Sequence, residues 1–181
     1  MKILKRLFYA AAGLVAVLLA IGLFLPTTAH VERSIATTAS PASVYDVVSS
    51  FRRFNEWSPW FDLDPQAQYT YSGPEHGVGA KMSWSSPKPE VGSGSQEIVA
   101  VDPGRSVTTK LDFGDQGQAT ARLEIAPEGT GSRVTWGFDT NFEGNFLGRY
   151  FGPFFDRMIG PDYEKGLARL KAMAESSPPV N

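Results

Sequence analysis

The chain has 181 residues, 42% of them hydrophobic and 20% charged, which is enough apolar material for one globular domain plus an appendage. Lys and Arg number 17 against 19 Asp and Glu, and Lys2, Lys5 and Arg6 are the only charges before Pro26, so the remainder is acidic and a nucleic-acid partner is not expected. The absence of cysteine excludes disulfides, thiolate catalysis and zinc–thiolate sites together.

Leu7 to Leu25 runs without a charge, and at ~1.5 Å rise per residue it approaches the ~30 Å of a bilayer core. Residues 1–26 therefore read as an uncleaved transmembrane anchor with a short basic end. The positive-inside tendency places that end in the cytoplasm and the rest of the chain outside it, in the periplasm or the extracellular space. A cleaved signal peptide is the rival reading, with Thr27-Thr28-Ala29 as a small-residue cleavage stretch, but its apolar region is usually only about 7 to 15 residues long. Burial in a soluble core fits less well, because the run has no amphipathic stripe.

His30 to Ala39 suits a first, edge strand. Ser40-Pro41 signals a helix start, with Ser40 as N-cap, and Val44, Val47, Val48 and Phe51 follow at helical spacing. A second short helix is expected from Arg52 to Trp57, ended by Pro59. Short alternating segments then follow between turn clusters: Ala67–Tyr71, Val78–Ser85, Ser95–Asp102, Ser106–Phe113, Gln118–Ala126 and Ser132–Thr140. Within them Val78, Ala80, Met82 and Trp84 share one face, as do Ala119, Ala121, Leu123 and Ile125, and Val134, Trp136 and Phe138.

From Gly144 to Glu175 large apolar residues recur at three- and four-residue spacings, which predicts a long helix, interrupted at Gly152-Pro153 and Gly160-Pro161. Its part after Asp162 reads as ordinary amphipathic helix that anchors the fold against the sheet. The fold class is α+β: a curved antiparallel sheet of about six to seven strands wrapped round a long C-terminal helix, with an N-terminal transmembrane helix. Residues 27–175 form the domain, and 176–181 are expected to fray.

The Ser40-Pro41-Ala42 start, the Phe54-Asn55-Glu56-Trp57-Ser58-Pro59-Trp60 segment and the closing Gly160-Pro161-Asp162-Tyr163-Glu164-Lys165-Gly166-Leu167 resemble the START-like SRPBCC superfamily, in particular its bacterial polyketide cyclase/dehydrase branch and its membrane-anchored members. The resemblance covers about Thr28 to Glu175. It implies a helix-grip fold and a cavity under the long helix for a lipid or other hydrophobic small molecule. No fixed catalytic motif carries over, since members range from carriers to enzymes and regulators.

Trp57, Trp60, Met82, Trp84, Trp136, Phe138, Phe154, Phe155 and Met158 are the residues expected to line that cavity, with Phe154, Phe155 and Met158 deciding whether it is open or filled. Aromatic and Met residues at such spacings also build plain cores, and the Trp57–Trp60 segment could plug one end of the sheet as readily as form a lip. Asp62 and Asp64 read as a solvated loop capping backbone N–H groups, and neither His30 nor His76 looks like a general base. Arg122, Glu124, Arg133 and Asp139 are placed on the outer face as cross-strand charges; turned inward they would become catalytic candidates. No metal site, cofactor or catalytic residue is assigned. The leading reading is a membrane-tethered binding domain for a hydrophobic small molecule or lipid. The alternatives are a cyclase/dehydrase-like or hydrolase-like enzyme, and a structural or protein-interaction module with a filled core.

Overall fold

A computed structural model describes residues 2–176, so the expected fraying beyond Ser176 lies outside the described residues. The first helix, α1 (Lys2–Phe24), is long and apolar enough to cross a membrane. Pro26 follows it closely, and the residue before a proline is pushed out of helical geometry.

The chain then enters β1 (Thr28–Thr37) and leaves the sheet for α2 (Pro41–Val48) and α3 (Phe54–Trp57). Ser40 caps α2 by accepting from the Ser43 N–H at 3.2 Å, with Pro41 at the first helical position, where its missing donor does no harm. The chain re-enters the sheet at the opposite edge as β2 (Gln68–Ser72) and continues through β3 (Lys81–Ser85), β4 (Ser93–Asp102), β5 (Ser106–Asp112), β6 (Gln118–Glu128) and β7 (Gly131–Asn141). All seven strands pair antiparallel in the order β1-β7-β6-β5-β4-β3-β2, which makes β1 an edge strand.

The period of two decides which side chains face the core. Ala119, Ala121, Leu123 and Ile125 of β6 are buried, and Ala121, Leu123 and Ile125 stand opposite Phe138, Trp136 and Val134 of β7. Their neighbours Thr120, Arg122 and Glu124 are exposed. In β4 a bulge between Ile98 and Ala100 shifts the parity by one residue: Gln96 and Ile98 face inward before it and Val101 after it, while Val99 is turned to solvent. Val78 departs from its expected inward place. It sits in a turn flanked by Gly77 and Gly79, both at positive φ, so β3 begins only at Lys81.

The last helix, α4 (Phe155–Ser176), starts later than the apolar spacing predicts. Gly148–Tyr150 and Gly152–Phe154 form short tight turns instead, because the glycines and Pro153 weaken regular helix there. In contrast, the break expected at Gly160-Pro161 is absent, and α4 runs through it. Arg33 of β1 supplies the reason. Its guanidinium holds Asp156 at 2.7 and 3.0 Å, one turn before the proline, and Glu164 at 2.8 Å, one turn after it, so both flanking turns are fastened to one strand. Gly160 leaves room for that guanidinium. Tyr163, Leu167, Leu170 and Ala174 then pack as the buried stripe of α4 against the inner face of the sheet.

Candidate functional site: a cavity between sheet and helix

The sheet curves away from α4 on the side of β3 to β6, and a cavity of about 370 Å³ lies between them. Trp57, Trp60, Met82, Trp84, Trp136, Phe138 and Phe155 border it, together with Leu111, Leu123, Ile159 and Tyr163. Phe154 and Met158 do not. With α4 beginning at Phe155, the helical period turns Phe155 and Ile159 inward, and Phe154 and Met158 fall on the outer surface.

The aromatic segment after α2 closes one end. Trp57 is buried edge-on against Phe54 at 4.9 Å and Trp136 at 5.1 Å, and its indole Nε1 has no hydrogen-bond partner. Trp136 stacks on Tyr163 at 4.0 Å, and Trp60 meets both rings edge-on. The segment is thus both the plug of the core and a wall of the cavity. Gly166 permits this packing, since an added Cβ would stand 2.8 Å from Trp136 and 3.1 Å from Pro59. At the other end Trp84 covers Gly94, meets Phe113 edge-on at 5.9 Å, and donates its indole N–H to the Val91 carbonyl at 3.3 Å.

Polar residues interrupt the apolar walls, among them Asn55, Gln96, Thr109, Gln118 and Thr140. Thr109 is buried and donates to the Ala121 carbonyl at 3.4 Å. Tyr163 is buried, and desolvation, aided by Asp139, pushes its hydroxyl well above the ordinary 10.0, so it stays neutral. Gln96, only 5% exposed, pairs with Met82 across β4 and β3 and borders the cavity. Sequence reading missed Gln96. The signal available was register, because Gln96 stands opposite Met82, whose inward place alternation predicts.

Of the charged residues only Glu90, in the loop before β4, borders the cavity. Arg122 pairs with Glu124 at 2.7 Å, Arg133 with Glu128 at 2.6 Å and Asp139 with His30 at 2.7 Å, all on the outer face of the sheet. His76 Nδ1 lies 3.3 Å from the Ser49 hydroxyl. Asp64 accepts from the Gln66 N–H and the Ser86 hydroxyl, as a loop cap should. Asp62 instead binds Lys165 at 2.8 Å and Arg169 at 2.6 Å, and so ties the loop after Trp60 to α4. Among the described residues no group of three or more His, Asp and Glu could hold a metal ion.

Residues 28–175 match the model of the family described as polyketide cyclase / dehydrase and lipid transport. The chain belongs to that family. Solved structures of similar fold agree with the helix-grip architecture. A protein from Chromobacterium violaceum superposes with a TM-score of 0.58 at 16% identity, covering 84% of this chain and 100% of that one. A truncated norcoclaurine synthase from Thalictrum flavum gives 0.62 at 16% identity, over 83% and 96% of the two chains. The di-domain aromatase/cyclase StfQ of the steffimycin biosynthetic pathway gives 0.60 at 12% identity, over 82% of this chain and 51% of that one. No curated protein matches the chain. At these identities the neighbours establish the fold of this polyketide cyclase / dehydrase and lipid transport family member, and its chemistry rests on its own cavity.

Proposed function

We propose that the chain is a membrane-tethered binding domain that holds a lipid or another hydrophobic small molecule between the sheet and α4. The cavity carries this reading: a largely apolar volume of about 370 Å³ falls in the ~300–1,000 Å³ range of small-molecule sites. Gln96 adds a direction to it. Its side chain offers an amide donor and acceptor on the β4 wall, which a ligand oxygen or hydroxyl can meet. The ligand is therefore an apolar body with a polar group directed at β4.

In this reading residues 1–26 are the anchor, with the N-terminus in the cytoplasm, and residues 27–175 the extracytoplasmic binding domain. An enzyme of the cyclase/dehydrase or hydrolase kind needs an acid, base or cation directed at substrate; Arg122 and Asp139 face outward, which speaks for binding, and Glu90 in the loop before β4 is the charged group that such an enzyme would have to use. The open cavity likewise speaks against a module with a filled core.

All 4 tryptophans border the cavity, so their fluorescence reports on its occupancy. Titrating the full chain in lipid nanodiscs with a conjugated polyene fatty acid, which accepts energy from indole, should quench that emission saturably. The Ala121→Phe variant, which fills the cavity from β6, should show little saturable quenching. Equal quenching in both proteins would contradict the proposal.

A further inference from the structure

The turns before α4 carry large apolar side chains that the fold leaves uncovered. Leu147 is 72% exposed, Phe151 56% and Phe154 54%, and Met158 on the first turn of α4 is 56% exposed. A cluster of this kind marks an interaction face rather than scattered surface apolars.

Its neighbours identify what covers it. Phe146 and Tyr150, from the same turns, close on the C-terminal end of α1. The Tyr150 hydroxyl donates to the Leu18 carbonyl, and Gly22 is buried because any side chain there would run into both rings. The Phe142 N–H donates to the Thr27 carbonyl at 2.6 Å, which holds the connection between α1 and β1 against the start of these turns. The exposed face is therefore continuous with the apolar surface of α1. Leu18 lies near the end of that helix, within ~9 Å of Phe24 at ~1.5 Å rise per residue. That is about the depth, ~5–10 Å, to which apolar side chains of an interfacial segment are buried below the headgroups.

The charges fit the same partner. Arg157 is exposed and joins no ion pair among the described residues. Arg149 sets its guanidinium over the Phe146 ring at 5.8 Å and joins no ion pair among the described residues. Asp156 is already bound by Arg33, which leaves Glu143 as the acid of these turns with no cation against it. Phospholipid phosphates supply what both arginines lack.

We propose that Leu147, Phe151, Phe154 and Met158 insert into the leaflet at the C-terminal end of α1 and seat the domain on the bilayer. The proposal rests on α1 being a membrane span. It has a consequence for the cavity, because Phe155 and Ile159 border the cavity from the inner side of the same helical turns. One layer of side chains then separates the cavity from lipid, and an apolar ligand can pass between them without crossing water.

The chain contains no cysteine, so single cysteines can be labelled without background. Full-length Leu147→Cys, Phe151→Cys, Phe154→Cys and Met158→Cys, each labelled with a small fluorophore, are placed in vesicles of phosphatidylcholine and phosphatidylglycerol containing brominated acyl chains. Leu14→Cys in α1 and Thr130→Cys in the β6–β7 turn serve as references. Quenching severalfold stronger than at Thr130→Cys, approaching that at Leu14→Cys, is expected at the four face positions. Face positions no more quenched than Thr130→Cys, with Leu14→Cys quenched, overturn the docking while the anchor stands. An unquenched Leu14→Cys overturns the span and the docking together. Unquenched face cysteines that cross-link copy to copy assign the face to a second chain and equally overturn the proposal.

Discussion

Gln96 is the buried residue of β4 that offers a ligand a polar contact inside the cavity. It is 5% exposed and presents an amide to the cavity wall. Gln96→Leu should weaken ligands with a polar head about tenfold, equivalent to ~1.4 kcal/mol, and leave purely apolar ligands nearly unaffected. Phe154→Ala and Met158→Ala serve as the contrast. Both side chains are on the outer surface, so each change should shift stability by no more than ~0.5 kcal/mol and leave cavity binding unchanged. Denaturant titration and ligand titration of the three variants separate these outcomes. The inward place of Gln96 was readable only through register: Met82 was recognisable as inward by alternation, and Gln96 is its cross-strand partner, but no local feature of a sequence announces which residue a strand will face. The misplacement of Phe154 and Met158 has the same root. Their spacing is helical and correct, yet the helix begins one residue after Phe154, and that single position decides which of two adjacent stripes meets the sheet.

At the scale of elements, α4 is held by ion pairs at two places as well as by its apolar stripe. Arg33 fastens its first turns to β1, and Asp62 fastens its middle to the loop after α3 through Arg169 and Lys165. Hydrogen bonds from Arg169 first, and from Lys165, hold the Asp62 carboxyl at about 2, below its ordinary 3.8. A carboxylate with a depressed folded value stabilises above its ordinary value and loses that contribution as the pH falls through the folded one. The stability difference between wild type and Asp62→Asn should therefore be constant near neutrality and shrink as the pH is lowered from about 4 toward 2. Denaturant midpoints measured across that range check the sign, and a difference that grows on acidification would contradict it. The continuity of α4 through Pro161 was not legible in the sequence. Proline reads locally as a break, and the compensation comes from Arg33, more than a hundred residues earlier, which grips both flanking turns. The alternation in β6 and β7, by contrast, was legible, because each of those strands has one face buried and one in solvent.

At the scale of the whole molecule, the apolar N-terminal run, the strand–helix–strand order and the amphipathic last helix were sufficient for an apolar anchor and an α+β domain of one curved sheet on one long helix, and the resemblance carried by Ser40-Pro41-Ala42, Phe54–Trp60 and Gly160–Leu167 implied the helix-grip class. All three are patterns of period and length, which survive without tertiary information. The cavity was not visible in that way. Its volume depends on how far the sheet curves from α4 and on the packing of Trp57, Trp60, Trp136 and Tyr163 at one end, and both are sums over many contacts. The account comes down to whether that space is occupied by an apolar molecule. Native mass spectrometry of the full-length chain, released from nanodiscs made with its own membrane lipids, measures this directly. Wild type should retain one small apolar molecule per chain after the nanodisc lipids are stripped, and Ala121→Phe should retain none. A wild-type chain that emerges empty, or a filled variant that carries the same adduct, would contradict the account.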